Sequence, residues 1–163
     1  MQAKNYKALL DTGAERTVIS LSLYEHLILN KVKLKSLPVV NMVCRTAIGS
    51  KGHKIVNQCL FNINISGKST EIFALVVPNL SSDILVGSDW FYKTSATLSF
   101  ELGLLNFTVG ENQVSVPFLR NERKEEKSLD AILYEDFIVE NISISRDTGL
   151  LITRIDLLDI THI

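Results

Sequence analysis

The feature that most constrains the fold is a pair of strand patterns joined by a tight-turn signal. Toward residue 65 the apolar and polar side chains alternate, with Phe61, Ile63 and Ile65 on one face. Alternation with a period of two predicts a strand that buries one face. The segment Ser-Gly-Lys at residues 66–68 is typical of a tight turn, and an apolar strand pattern returns at residues 70–77. A domain built around this pair is predicted to be β-rich.

Shorter patterns of the same kind occur along most of the chain. Strands are predicted at residues 6–10, 17–20, 39–44, 96–100, 104–109 and 113–118. Ser22 can cap a short helix whose apolar face includes Leu27 and Ile28. Ser88 or Asp89 can cap a second short helix at residues 90–94. Together these elements predict an all-β fold, a closed barrel of short strands with one or two short helices.

The composition fits one globular domain with an appendage and excludes several classes of partner. The chain has 163 residues, of which 46% are hydrophobic and 21% are charged. Its formal net charge of -1 provides no field that would attract nucleic acid or acidic lipid. No apolar run approaches the roughly 20 residues that cross a membrane, and no signal segment is seen. We therefore expect an intracellular protein without nucleic-acid or membrane partners, with Cys44 and Cys59 reduced.

A run of mixed charge at residues 120–127 predicts the end of the main domain. Such a run cannot be buried, so it is expected to be a linker or an exposed helix. The chain is thereby divided into a domain at residues 1–118, a charged linker at 119–127 and a C-terminal extension at 128–163. The extension is too short for its own core, so it either adds strands or a helix to the domain or begins another domain. A chain that ends near Phe118 is then expected to fold cooperatively.

Asp11 is the candidate catalytic residue, because it directly follows the apolar strand predicted at residues 6–10. A carboxylate at the mouth of an apolar strand is partly desolvated, which suits it to acid–base chemistry. Gly13 indicates a tight turn, or a place where another group must approach the backbone closely. Asp-Thr-Gly is also an ordinary turn sequence, so the tripeptide alone leaves a purely structural turn open.

A second motif, later in the chain, strengthens the catalytic interpretation. Residues 9–14 are Leu-Leu-Asp-Thr-Gly-Ala, and residues 85–90 are Leu-Val-Gly-Ser-Asp-Trp. In this order and at this separation, the two segments resemble those of the retropepsin-like aspartic proteases, especially the enzymes of LTR retrotransposons. The resemblance covers roughly residues 6–118 and implies a retropepsin-like fold. It implies that Leu85, Val86 and Gly87 pass beneath the catalytic aspartate and lead into a helix.

The resemblance also implies that the active enzyme is a homodimer. Each chain of such a dimer supplies one aspartate, so Asp11 and its symmetry mate would form the catalytic pair. Two carboxylates so close share one proton, and together they activate a water molecule for peptide hydrolysis. Thr12 would hydrogen-bond across the dimer, Gly13 would let the backbone approach the carboxylates, and the small Ala14 closes the loop. Neither a metal nor a cofactor is implied.

Ala47, Ile48 and Gly49 fall where the family has its flap, the hairpin that closes over substrate and excludes water. Their segment is small and punctuated by glycine, which indicates a hairpin, so an ordinary hairpin is the alternative. A second Asp-Thr-Gly occurs at residues 147–149, but polar residues precede it where apolar ones are expected. We interpret this copy as a turn.

Three further features qualify the comparison with the family. Asp83 and Asp89, on either side of the Gly87 motif, are interpreted as a turn residue and a helix cap. Trp90 is interpreted as a core residue. Family members usually have a further strand or two before the catalytic turn, whereas ten residues precede Asp11 here.

The sequence therefore predicts an aspartic-type endopeptidase that acts as a homodimer on a peptide or polyprotein. The expected setting is the processing of a retroelement polyprotein, in the cytoplasm or in a retroelement particle. Two alternatives stay open. One is a catalytically inactive retropepsin-like module for dimerisation or peptide binding, and the other is a cellular protease of the same fold.

Overall fold

The computed structural model describes residues 5–39, 42–44, 52, 54–124 and 133–144. The helices in this part of the chain are Leu21–Leu29 (α1) and Ser88–Lys93 (α2). The strands are Asn5–Leu10 (β1), Val18–Ser20 (β2), Lys35–Leu37 (β3), Asn57–Ile65 (β4), Lys68–Val77 (β5), Ile84–Val86 (β6), Thr97–Ser99 (β7), Leu104–Val109 (β8), Asn112–Pro117 (β9), Leu119–Lys124 (β10) and Leu133–Ser143 (β11). The predicted all-β class with short helices is confirmed.

β4 and β5 form the hairpin predicted from the alternating pattern. They pair antiparallel along the whole of β4, up to Ile65 opposite Lys68. The turn takes Ser66 and Gly67 through positive φ angles of 50° and 78°. Glycine adopts this region without steric cost, which explains why a turn forms here. The alternating residues of β4 are buried as predicted: Cys59, Phe61, Ile63 and Ile65.

Strand pairing closes the larger sheet into a ring. Its order is β10-β11-β1-β6-β2-β5-β4-β3. In addition β11 pairs with β4, where Ser143 lies opposite Asn64. The run from β11 through β1, β6, β2 and β5 to β4 is therefore a closed circuit. Strands of this circuit contribute buried side chains to one hydrophobic cluster, among them Ala8, Ile19, Ile63, Ile84 and Ile142.

The C-terminal part of the described chain belongs to this ring. β11 lies antiparallel to β1, with Leu10 opposite Phe137, and β10 pairs with β11 at the edge of the sheet. The prediction of a charged linker at residues 119–127 is therefore wrong for residues 119–124, which form β10. A charged segment is compatible with an edge strand, where charge discourages pairing with other chains. Residues 125–132 and 145–163 lie outside the described residues.

β1 is paired on both sides within the larger sheet. β1 has a parallel neighbour, β6, on one side and an antiparallel neighbour, β11, on the other. The strand beside β1 thus comes from the far end of the described chain. A chain that ends near Phe118 would lack this neighbour, which argues against the expectation that it folds cooperatively.

A second, three-stranded sheet packs beside the helix that follows Gly87. Its order is β7-β8-β9. Phe107, on β8, is 1% exposed, and its ring centroid lies 5.3 Å from that of Trp90 in α2. Trp90 is itself 3% exposed, so its interpretation as a core residue is confirmed.

Helix α1 differs from its prediction in its N-cap and in its buried face. Ser20, rather than Ser22, is the N-cap, and its Oγ accepts a hydrogen bond from Leu23 N at 3.1 Å. The buried stripe is formed by Leu23 and Leu27, whereas Ile28 is 48% exposed. Successive helical residues are rotated by about 100°, which turns Ile28 away from the stripe that ends at Leu27.

Two other sequence-based expectations can be compared with the described residues. Of the strand predicted at residues 39–44, a single bridge between Val43 and Lys54 is present, and residues 40 and 41 lie outside the description. Neither α1 nor α2 is long and apolar enough to cross a membrane.

Candidate active site

Asp11 is the first residue after β1, and its position follows from the burial of that strand. Ala8 and Leu10 are buried between the neighbouring strands, while Asp11 is half-exposed. The amide of Asp11 donates to Val86 O at 2.9 Å and so continues the parallel pairing of β1 with β6. The backbone of Asp11 is thus fixed by the sheet, and its carboxylate emerges where the strand ends.

The turn after Asp11 folds back onto the carboxylate. Oδ1 of Asp11 accepts hydrogen bonds from Gly13 N at 2.9 Å and from Ala14 N at 3.1 Å. A Cβ at residue 13 would lie 3.3 Å from this oxygen, so glycine relieves a tight contact there. Oδ2 has no hydrogen-bond partner within the described part of the chain. One oxygen is therefore held by two amides, and the other is available to a proton, a water or a second carboxylate.

The segment that follows β6 runs against the loop formed by residues 11–17. Ser88 N donates to Ala14 O at 2.8 Å, and Asp89 N donates to Glu15 O at 3.3 Å. Gly87 N donates to Oγ1 of Thr17 at 3.1 Å. With the bond from Asp11 N to Val86 O, these contacts fasten the loop of Asp11 along its length.

Gly87 is required by this close approach. A Cβ at residue 87 would lie 2.5 Å from both C and O of Arg16, and 2.9 Å from Thr17 N. Its φ of -92° is ordinary for any residue, so the constraint is the space and not the backbone conformation. The contacting atoms belong to the backbone, so they cannot turn aside as a flexible side chain would.

Sequence analysis missed Thr17 and misassigned Asp89. Gly87 occupies the N-cap position of α2, so the interpretation of Asp89 as the cap is wrong. Its carboxylate instead accepts from Thr17 N at 2.9 and 3.0 Å and from Thr17 Oγ1 at 2.7 Å. Thr17 is 1% exposed, although its sequence context only indicated a β-branched strand residue. The one sequence signal was the Asp-Trp pair at residues 89–90, which the family resemblance singled out.

A pocket of about 250 Å³ opens beside the carboxylate. It is lined by Leu9, Leu10, Asp11, Thr12, Leu98, Phe100 and Phe137. Leu98 and Phe100 come from the region of β7, and Phe137 comes from β11, beyond the predicted end of the domain. Sequence analysis singled out none of these three residues, because nothing local in their patterns relates them to Asp11.

Three aromatic rings form the wall of this pocket and the core behind it. The ring centroid of Phe137 lies 5.1 Å from that of Phe100 and 5.5 Å from that of Phe118. Arg120 covers the outer side, with Cζ 5.9 Å from the Phe100 centroid and a guanidinium hydrogen bond to Phe100 O. Aromatic side chains beside a carboxylate can make apolar contact with a group that is held next to that carboxylate.

The structure brings two of the three predicted site segments together. Residues 11–14 lie directly against residues 85–87, through the contacts already described. Thr12 and Gly13 are exposed at the surface of the described chain. The predicted flap residues Ala47, Ile48 and Gly49 and the second Asp-Thr-Gly at residues 147–149 lie outside the described residues. Asp83 is exposed, in the bend before β6.

The two cysteines are not among the residues that line the pocket. Cys59 is fully buried in β4, and burial raises the pKa of its thiol to about 12. Cys44 is half-exposed, and both cysteines are free. Among the described residues, no three His, Cys, Asp or Glu side chains are grouped so that they could hold a metal ion.

Comparison with known proteins gives similar solved structures. No protein-family model matches the chain, and no curated protein matches it. The chain is similar to the crystal structure of the retroviral protease-like domain of Ddi1 from Leishmania major, at 17% sequence identity and a TM-score of 0.47. The matched region covers 73% of this chain and 95% of that domain.

Proposed function

We propose that the chain is an aspartic-type endopeptidase that acts as a homodimer, with the Asp11 carboxylates of two chains as its catalytic pair. The observation that carries the proposal is the Asp11 turn. A half-exposed carboxylate at the end of a buried strand is held by two backbone amides through one oxygen only. The loop around it is fixed by backbone contacts to the segment at residues 86–89, which leaves little freedom for the carboxylate to drift.

This geometry suits the chemistry of a shared-proton carboxylate pair. Two carboxylates a few ångströms apart hold one proton between them, because two like charges so close are costly. The ionised carboxylate takes a proton from a water molecule while the water oxygen attacks the carbonyl carbon of the peptide. The protonated carboxyl group donates its proton to the carbonyl oxygen. In Asp11 the oxygen bound by Gly13 and Ala14 fixes the orientation, and Oδ2 remains for the proton or the water.

A second chain is proposed because the mechanism needs two carboxylates. The surface next to Asp11 supports such a partner, since Thr12 and Gly13 are exposed there. Phe100, which lines the pocket beside Asp11, is a large apolar residue that is 50% exposed. An exposed aromatic side chain next to the site can contribute apolar contact to an interaction surface. We assign this face to the second copy of the chain.

The proposed substrate is a peptide or polyprotein, and a retroelement polyprotein is the proposed physiological one. The latter rests on the motifs at residues 9–14 and 85–90, which together resemble those of LTR-retrotransposon proteases. Reverse-transcriptase sequence in the same encoding frame would support this assignment. A frame that instead encodes other cellular domains would favour a cellular protease of the same kind.

The test of catalysis is hydrolysis of a peptide mixture by the purified chain, with and without an aspartic-protease inhibitor. The change Asp11→Asn is nearly isosteric and removes the ionisable group, so it should abolish cleavage and leave the thermal transition in place. Asp147→Asn is the control, because it makes the same change in the second Asp-Thr-Gly, which is preceded by polar and not apolar residues. Loss of activity in the Asp147 variant, with activity kept in the Asp11 variant, would refute the assignment.

The test of the dimer is a dilution series. Specific activity should rise with protein concentration until the dimer saturates, since a monomer holds one carboxylate of the pair. An excess of Asp11→Asn chains should suppress wild-type activity by forming mixed dimers. Activity that stays flat on dilution of a monomeric preparation would rule out the dimeric mechanism. A folded chain that dimerises or binds peptide but cleaves nothing would favour the inactive module.

A further inference from the structure

We propose that Asp89 is a positioning residue for the Asp11 loop, and that it acts by fixing Thr17. This inference rests on the proposed function, in which Asp11 supplies the catalytic carboxylate. Thr17 stands at the far end of the loop that begins at Asp11, just before β2. If Thr17 is fixed, both ends of the loop are fixed, because the pairing of Asp11 N with Val86 O already holds the first end.

The carboxylate of Asp89 makes more hydrogen bonds than a helix cap would need. It receives Thr17 N on both oxygens, at 2.9 and 3.0 Å, and Thr17 Oγ1 at 2.7 Å. It also receives Trp90 N at 2.8 Å. Bonds to an ionised acceptor are about twice as strong as neutral ones, so this contact is among the firmer ones that a loop can have.

Thr17 connects Asp89 to Gly87, in the segment beneath the loop, through its hydroxyl group. Its hydroxyl donates to Asp89 and accepts from Gly87 N at 3.1 Å. The side chain is 1% exposed, so water cannot replace either partner. Asp89, Thr17 and Gly87 therefore form one hydrogen-bonded unit, and the same unit places the Gly87 backbone against Arg16 and Thr17.

The consequence for Asp11 follows from the bonds in the middle of the loop. Ala14 accepts from Ser88 N through its carbonyl and donates its own amide to the Asp11 carboxylate. If the bonds between Thr17 and Asp89 are lost, the far end of the loop keeps only its backbone contacts, such as Leu75 N to Thr17 O at 3.0 Å and Ser88 N to Ala14 O at 2.8 Å. We then expect the amides of Gly13 and Ala14 to hold Asp11 less firmly. We expect the carboxylate to lose orientation while the peptide-binding surface stays in place, so kcat should fall more than KM rises.

The experiment compares Asp89→Ala, Asp89→Asn, Thr17→Val and Thr17→Ser in the full chain. The first readout is amide hydrogen exchange at Gly13 and Ala14, followed by NMR, which needs no activity. The second readout is the separate measurement of kcat and KM. Asp83→Asn is the matched control, because it removes an exposed aspartate on the same segment.

Thr17→Val should speed exchange at Gly13 and Ala14 about tenfold or more and lower kcat by a similar factor, as loss of bonds to a charged partner predicts. Asp89→Ala and Asp89→Asn should do the same, with KM within about twofold of the wild-type value. Thr17→Ser keeps the hydroxyl and should behave as the wild type, as should Asp83→Asn. If Asp89→Ala does not fold, the comparison of Thr17→Val with Thr17→Ser tests the inference.

Two results would overturn the inference. In the first, Thr17→Val lowers the melting temperature but leaves exchange at Gly13 and Ala14 unchanged. In the second, Thr17→Ser is as impaired as Thr17→Val, which would mean that packing and not the hydroxyl matters. If the wild type cleaves nothing, the proposed function fails, and the exchange data alone then show whether Asp89 holds the loop.

Discussion

Replacement of Gly87 by alanine provides a sharp test of how the site is assembled. The added Cβ would lie 2.5 Å from both C and O of Arg16 and 2.9 Å from Thr17 N. Contacts so short are not tolerated, so the segment around residue 87 must move away from the loop. Overpacking of a rigid site typically costs about 1 to 3 kcal/mol, and contact with backbone atoms puts Gly87→Ala at the upper end, about 3 kcal/mol. For a domain of this size that cost corresponds to a fall in melting temperature of roughly 6 to 12 °C.

The control for this change is Gly110→Ala, which separates crowding from backbone conformation. Gly110 has a φ of 60° and no atom within 4 Å of an added Cβ. Alanine there is strained only in its dihedral angle, at a cost of about 1 to 2 kcal/mol. Urea unfolding of both variants, with peptide cleavage measured alongside, gives the comparison. A Gly87→Ala protein within about 1 kcal/mol of the wild type, or one less destabilised than Gly110→Ala, would refute the close approach.

Two further predictions follow from the fold. A chain that ends at Phe118 lacks β10 and β11, so β1 loses its antiparallel neighbour and the ring is opened. We therefore expect this shortened chain to show no cooperative thermal transition, and a sharp transition would show that β11 is dispensable. The raised pKa of Cys59 predicts that the stability it contributes is complete below pH 9.0 and is lost as pH rises toward about 12, because only the unfolded thiol ionises in that range. Urea unfolding across this pH range should show a loss of stability in the wild type and a much smaller loss in Cys59→Ala. At pH 8 a thiol reagent should modify the half-exposed Cys44 well before Cys59. Equal modification rates for the two thiols would contradict the burial of Cys59.

The sequence alone determined the parts of this protein that depend on near neighbours in the chain. The alternation in β4 and the turn at residues 66–68 specify the hairpin, because burial of one face and a positive φ are local requirements. The apolar strand that directly precedes Asp11 could likewise be predicted, as could the tight glycine turn after it. The cap of α1 was missed by two residues, since Ser20 and Ser22 are both suitable caps and only the packed position of the helix selects Ser20.

Tertiary structure alone decided which distant segments meet. Asp89 and Thr17 are 72 residues apart in the chain, and no periodicity relates them. Phe137 lines the Asp11 pocket because β11 pairs directly with β1. The charge run at residues 120–127 had instead predicted that the domain ends before Phe137. Pairing of this kind depends on which strand edge is left free once the rest of the sheet has formed, and that is a property of the whole fold. The turn at Asp11 could therefore be predicted from its own residues, whereas the contact between Asp89 and Thr17 and the lining of the pocket could not.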